Sequence, residues 1–421
     1  MKFLLKVLFI IYISFILLPI ANRMVAQAEA RTLYPVISKL SPSPDGRYIL
    51  FEADLLDTGI DELYILDLLT KQVYQIAEPN IQGLDPAWSP DGSVIAFTKV
   101  TEDIGVVIYL VNPDGTNLRR LTCERAHSPV WSPDGRYLAI SVHREGDFES
   151  FDDILIIDRE GKDVAWLITS PRDDWPVAWS PDGSYILFMN REEAKYNSLW
   201  KANIDLTKPF PAEHTGIFRL SEPPSSVRSA SISPDGSHIV LSFYNKPGIW
   251  IMNADGTGNT LIFPGRDKFD VDTVAWCPVI NKIAFVGTEF QEYNKVEGYL
   301  GPDNIYLINP DGTGLEQITF FTGFSDSQVK ALHFPLFARV WKNSAKQEIA
   351  MSRGTKLPRL AGKAGGERVS KTKGGRMHNL KSTNRMTARC PHIPSEQKTT
   401  KSPIAPIFSG ILSLSALSYV F

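Results

Sequence analysis

The stretch Trp88-Ser89-Pro90-Asp91-Gly92-Ser93-Val94-Ile95-Ala96-Phe97 joins a tight turn to an apolar run. Pro presets the first central position of a type I turn, Asp tolerates the second and accepts hydrogen bonds from nearby amides, and Gly supplies the positive φ that returns the chain to a strand. Ser-Pro-Asp-Gly recurs at 43–46, 132–135, 180–183 and 233–236, and Trp precedes it at Trp88, Trp131 and Trp179. A sixth, degenerate copy is Trp276-Cys277-Pro278-Val279-Ile280, followed by Lys282-Ile283-Ala284-Phe285. The repeated position thus falls at 45, 91, 134, 182, 235 and 279. Such a period, about 40–50 residues, with strand-like contents, is the mark of a propeller.

Each period carries the same further parts. After the turn comes an apolar run, such as Tyr48-Ile49-Leu50-Phe51 or Tyr185-Ile186-Leu187-Phe188. A third run follows, as in Ile108-Tyr109-Leu110-Val111 and Ile305-Tyr306-Leu307-Ile308. A second turn, Asn-Pro-Asp-Gly-Thr at 112–116 and 309–313 or Asn-Ala-Asp-Gly-Thr at 253–257, leads to a short closing run such as Leu121-Thr122 or Ile318-Thr319. Four short strands per period make one antiparallel blade.

The sequence therefore predicts an all-β fold: a six-bladed β-propeller of four-stranded antiparallel blades with a disordered C-terminal tail. The units run Tyr34–Ala77, Leu84–Thr122, His127–Thr169, Trp175–Ser221, Arg228–Phe263 and Asp272–Thr319, with a Pro-rich insertion near Lys208–His214 in the fourth. The first and sixth units each own four strands, so no strand exchange locks the ring. The Trp residues are expected as wedges between blades. The Asp-Gly turns lack the ladder of carboxylates that calcium needs, so they are expected to be structural.

The 421 residues divide into 1–30, 31–323 and 324–421. Lys2 and Lys6 precede an apolar run from Val7 to Ile20, with Ala26, Ala28 and Ala30 after it. That pattern reads as a cleaved secretory signal peptide, and an uncleaved membrane anchor is the alternative. The expected location is periplasmic or secreted. From Lys330 to Phe421 there are 17 basic and three acidic residues, whereas the whole chain has 44 Lys+Arg and 47 Asp+Glu. The tail is basic and poor in large apolar residues, so it is expected to be largely disordered. It reads either as a basic arm for an anionic surface or as the product of a frame change. The acidic propeller itself is not expected to bind nucleic acid. Cys123, Cys277 and Cys390 form no close pair, and Cys123 and Cys277 are expected as small buried residues.

The repeated Trp-Ser-Pro-Asp-Gly, with Ile-Tyr-x-x-Asn-x-Asp-Gly-Thr further on, resembles the WD40-like repeat of the TolB-type β-propellers over Tyr34–Thr319. The resemblance implies a secreted or periplasmic propeller that binds protein partners. The α/β domain that precedes the propeller in TolB has no counterpart between the expected leader and the first blade, so partner-binding residues cannot be carried over one by one. The repeats also resemble the propellers of prolyl-oligopeptidase-type peptidases, but no Gly-x-Ser-x-Gly elbow occurs. A polysaccharide-lyase-like enzyme would need convergent His and acidic ligands, and the seven His residues fall at different blade positions.

The expected function is a non-catalytic protein-binding or scaffold module of the cell envelope, monomeric and without cofactor or metal. A glycan is the alternative ligand, and a channel-mouth enzyme the alternative function. Aligning the copies by their turns brings Asp85, His127, Trp175, Arg228 and Asp272 to the start of the innermost strands, at the mouth of the channel. They differ from blade to blade, which suits the reading of one asymmetric partner, though such loops can also be merely solvated.

Overall fold

The structure is a computed structural model that describes residues 35–322 apart from 56–59, 77–82, 146–149, 193–195, 206–215, 223, 266–268 and 291–299. The expected leader, the Pro-rich insertion and the tail from 324 lie outside the described residues. The described residues form 24 strands in six four-stranded sheets, with no helix among them.

Blade one is β1 (Val36–Pro42), β2 (Tyr48–Asp54), β3 (Glu62–Asp67) and β4 (Gln72–Gln75); blade two is β5 (Gly83–Trp88), β6 (Ile95–Thr101), β7 (Gly105–Val111) and β8 (Arg119–Arg120). Blade three is β9 (Ala126–Trp131), β10 (Tyr137–Glu145), β11 (Ser150–Asp158) and β12 (Asp163–Ile168); blade four is β13 (Asp174–Trp179), β14 (Tyr185–Glu192), β15 (Tyr196–Asn203) and β16 (Ile217–Arg219). Blade five is β17 (Val227–Ile232), β18 (His238–Phe243), β19 (Ile249–Asn253) and β20 (Thr260–Phe263); blade six is β21 (Phe269–Cys277), β22 (Lys282–Phe290), β23 (Leu300–Ile308) and β24 (Glu316–Gln317). In every blade the four strands pair in chain order and antiparallel. The first strands are innermost: β1, β5, β9, β13, β17 and β21 each pack on the next, and β21 packs on β1 to close the ring.

The turn residues act as their chemistry requires. In the second blade Ser89 Oγ donates to Asp91 Oδ1 at 2.6 Å, the Ser93 amide donates to the same oxygen at 3.0 Å, and the Val94 amide donates to Ser89 Oγ at 3.0 Å. Blades three, four and five repeat this set around Asp134, Asp182 and Asp235. Gly92 takes φ 68°, the left-handed value that favours glycine. The degenerate turn of blade six places its positive φ at Asn281 instead, one residue later than the glycine position. The closing runs lock the fourth strand on the third. Leu121 and Ile318 donate their amides to Ile108 O and Ile305 O at 2.8 Å, while Thr122 and Thr319 hydroxyls accept from the Ile108 and Ile305 amides at 3.0 and 2.8 Å.

Six apolar clusters hold the blades, and each spans a junction between neighbours; Tyr48, Leu50 and Ile65 of blade one share a cluster with Trp88, Ile95 and Phe97 of blade two. Trp88, Trp131, Trp179 and Trp276 are buried wedges as expected. The junction of blades six and one is built no differently: Ile37, Phe51 and Leu66 pack with Ala284, Ile305 and Leu307. Polar ties reinforce it, because Asp303 accepts from the Ile37 amide at 2.9 Å and its own amide donates to Pro35 O at 3.2 Å. Cys277 is buried and free as the sequence predicts. Cys123 departs from expectation: it is exposed, because it follows the closing Leu121-Thr122 pair out of the core, and it is disulfide-bonded.

Candidate functional site

One face of the ring carries the Ser-Pro-Asp-Gly and Asn-x-Asp-Gly-Thr turns. The other, the mouth face, carries the connections into each first strand and between second and third strands. Every innermost strand has a break in register just inside this mouth. The residues left without a paired partner are Ser38 in β1, Asp85 and Pro86 in β5, Ser128 and Pro129 in β9, Val177 in β13, Arg228 in β17, and Asp272 and Thr273 in β21. A bulge inserts an extra residue and re-aims side chains. Asp85 and Ser128 accordingly hold positive φ values of 48° and 53°.

The structure joins four of the five predicted mouth residues in two groups. In the first, Ser128 Oγ donates to Asp85 Oδ2 at 3.2 Å, and His127 Nδ1 lies 3.0 Å from Ser128 Oγ. His127 Nε2 lies 3.1 Å from Asp152 Oδ2, and His143 Nδ1 lies 3.0 Å from Asp152 Oδ1. The expectation of isolated histidines is corrected here: register places Ser141 of β10 opposite His127 and His143 opposite Asp152, so two imidazoles from adjacent strands converge on one carboxylate. In the second group Arg228 bridges Asp272 and Asp270, the latter at 3.3 Å, and its guanidinium sits 5.3 Å from the Tyr244 ring centroid. Trp175 stands apart from both groups, packed at the junction of blades four and five beneath Arg191 at 5.5 Å.

Sequence reasoning missed the acidic groups that complete the belt. Glu52 is a carboxylate in an apolar strand; its Oε2 accepts from the Asp85 amide at 2.7 Å. Burial, reinforced by the nearby Asp85 carboxylate, pushes Glu52 up to about 8. Burial likewise lifts Asp272 to about 6 against the pull of Arg228, and Asp174 to about 6 against hydrogen bonds from Ser170 and Asn190. Asp303 is raised by burial, whereas the hydrogen bond from His127 holds Asp152 below the usual range. A signal was present for Glu52, which interrupts Ile49-Leu50-Phe51 and Ala53. Asp152 gave none, since only the pairing of β9, β10 and β11 brings it to His127. Among the described residues, no group of three or more His, Cys, Asp or Glu side chains is placed to hold a metal ion.

A closed ring of six four-stranded blades, each built from consecutive strands and opening through bulged inner strands, defines a β-propeller. Residues 22–216 match the family model described as the TolB beta propeller domain. TolB from Acinetobacter baumannii is 22% identical, with a TM-score of 0.44, 53% of this chain covered and 53% of that one. The β-propeller domain of the Trilobed protease from Pyrococcus furiosus, described as having an open velcro topology, is 15% identical, with a TM-score of 0.45 and coverage of 68% and 84%. The Pyrococcus horikoshii acylaminoacyl peptidase is 14% identical, with a TM-score of 0.43 and coverage of 68% and 45%. The chain thus spans about half of the Acinetobacter protein and less than half of the peptidase. No curated protein sequence matches it.

Proposed function

We propose that this chain is a non-catalytic, protein-binding propeller of the cell envelope, and that it reads a partner segment at the channel mouth. The observation that carries this reading is the belt itself. Five of the six inner strands carry unlike side chains at or beside their bulges: carboxylates at Asp85 and Asp272, an imidazole at His127, an indole at Trp175 and a guanidinium at Arg228. Such a set offers donors, acceptors and a ring surface around one opening, the composition that reads an extended polypeptide. Envelope localisation follows from the resemblance to TolB-type propellers and from the leader-like segment at 1–30. A photoreactive side chain placed at 175 or 228, and at 114 on the turn face, tests the mouth. The same protein adduct is expected from both mouth positions and not from 114; adducts shared equally by the two faces, or none at the mouth, refute it.

One observation favours a second reading, a hydrolase at the mouth: Ser128, His127 and Asp152 are connected in the order of a catalytic triad, with separations of 3.0 and 3.1 Å. Against it, Ser128 has a single hydroxyl hydrogen, and Asp85 is also placed to accept it at 3.2 Å. A hydroxyl that donates to a carboxylate is not activated by the imidazole. Stoichiometric labelling by a fluorophosphonate that disappears in Ser128→Ala would establish the hydrolase.

A further inference from the structure

On the face opposite the mouth, a cavity of about 430 Å3 opens between blades five and six. Ser233, Asp235, His238, Trp276, Asn281 and Pro310 are among the residues that line it. The repeat explains why this junction is open. At the other junctions one of two positions supplies a filler. The first is the opening residue of the second strand: Tyr48 packs in the cluster shared by blades one and two, and Tyr185 in that of blades four and five. The second is the residue after the Asn or Asp that begins the second turn of the following blade: Ile204 joins the cluster of blades three and four, and Leu68 that of blades six and one.

Between blades two and three the first position is the small Val94, and the second is Arg159. Its guanidinium lies 5.5 Å from the Trp131 ring centroid, with Nη1 3.4 Å from Asp91 Oδ2 and Nη2 donating to Ser93 Oγ at 3.1 Å.

Between blades five and six those partners are present and the arginine is not. Asp235, Ser237 and Trp276 occupy the positions of Asp91, Ser93 and Trp131. The Ser237 hydroxyl donates to Asp235 Oδ1 at 2.7 Å, as the Ser93 hydroxyl does to Asp91 Oδ1 at 2.7 Å. Pro310 stands where Arg159 would: Asp158 and Asn309 each donate their amides across the turn at 2.9 Å, to Lys162 O and Thr313 O, and each is followed by the residue in question. At the other position His238 is exposed, with its Nδ1 2.6 Å from Ser237 Oγ, so it leaves the space unfilled. Hydrogen bonds from Ser233 and Ser237 hold the Asp235 carboxyl down at about 2, which keeps it anionic. We propose that this cavity is a binding site for an arginine side chain of a partner polypeptide, which completes in trans the arrangement that Arg159 makes in cis. The site is independent of the mouth and stands whether or not the mouth binds.

Isothermal titration of the full chain with an end-blocked Gly-Arg-Gly peptide, and with its Lys counterpart, tests this. A single guanidinium between a carboxylate and an indole predicts weak binding, with Arg favoured over Lys by at least about fivefold because only Arg offers a planar fork. Asp235→Asn should weaken binding at least about fivefold, the loss of a charge-assisted partner. Pro310→Arg rebuilds the internal arginine and should abolish binding. His238→Tyr, the residue that opens β2, β10 and β14, should fill the space from the other wall and do the same. Equal affinity for the Lys peptide, or unchanged binding by folded Pro310→Arg and His238→Tyr variants, overturns the proposal. So does absence of binding to the wild-type chain, whether the cavity is idle or held by an arginine of the chain's own basic tail.

Discussion

Replacing Glu52 by Gln should make the propeller more stable at alkaline pH, although Glu52 lies at the candidate site and ties down its neighbour. Its carboxyl is pushed from 4.5 to about 8 in the folded state, first by burial and then by the Asp85 charge. A folded pKa above the unfolded one means that the folded state binds the extra proton. This contribution to stability is fully present below about 4.5 and is lost as pH rises through about 8. Each pKa unit corresponds to about 1.4 kcal/mol, so ionising Glu52 in place costs at most on the order of 4–5 kcal/mol, and about 2–4 kcal/mol after local relaxation. Gln keeps an oxygen for the Asp85 amide, which donates to Glu52 at 2.7 Å, and carries no charge to desolvate. Urea denaturation at pH 5, 7 and 9 is the assay. The variant should match wild type within about 1 kcal/mol at pH 5 and exceed it by about 2–4 kcal/mol at pH 9. Parallel curves across that range would refute the assignment of a protonated Glu52.

Three further outcomes are expected. Asp303→Ala should lower stability by about 2–3 kcal/mol in chemical denaturation, because it strands the Ile37 amide (2.9 Å) and the Thr288 hydroxyl (2.5 Å) at the junction of blades one and six; a loss under about 0.5 kcal/mol would show that apolar packing alone holds that junction. Gly312→Ala should cost more than Gly92→Ala: both have positive φ, but a Cβ at 312 would meet Ile262 O at 2.1 Å, whereas one at 92 meets only Pro44 Cγ at 3.4 Å; equal melting temperatures would contradict this. Burial pushes the Cys277 thiol up to about 12, so a thiol reagent at neutral pH should leave it unmodified in the native protein and react with it once urea unfolds the chain.

The fold was legible because its determinants are local and repeated. Ser-Pro-Asp-Gly writes a turn through hydrogen bonds that stay within six consecutive residues, 89–94 in the second blade, and the short Leu-Thr or Ile-Thr pair writes the lock of a fourth strand. Even the degenerate turn at Cys277–Asn281 announced itself through Trp276 and the run that follows. The candidate site was legible only in part. Asp85, His127, Trp175, Arg228 and Asp272 could be placed at the starts of the inner strands because their position relative to the turn repeats, although Trp175 stands apart from the two groups that the other four join. Glu52, His143, Asp152 and Asp303 sit at the mouth ends of second and third strands, where loops of unequal length break the period. His127 meets His143 through Asp152 only after three strands have paired, a relation with no counterpart in linear spacing. The open junction of blades five and six was invisible for a related reason: a cavity is a property of two neighbouring blades, and each reads as ordinary alone.

The junction between blades one and six differs from the other five in a single respect. Elsewhere the chain itself crosses from one blade to the next, whereas here, among the described residues, side-chain packing, the Asp303 hydrogen bonds and the Lys71–Glu316 ion pair at 3.0 Å do so. In mechanical terms the propeller is a split ring. Strain placed on it from within, by a segment threaded through the channel, concentrates at the split, where opening breaks contacts but stretches no backbone. The Ile37 amide, held by Asp303 across that gap, is therefore the natural gauge of opening: its hydrogen exchange reports how often the ring parts, separately from the unfolding of any blade.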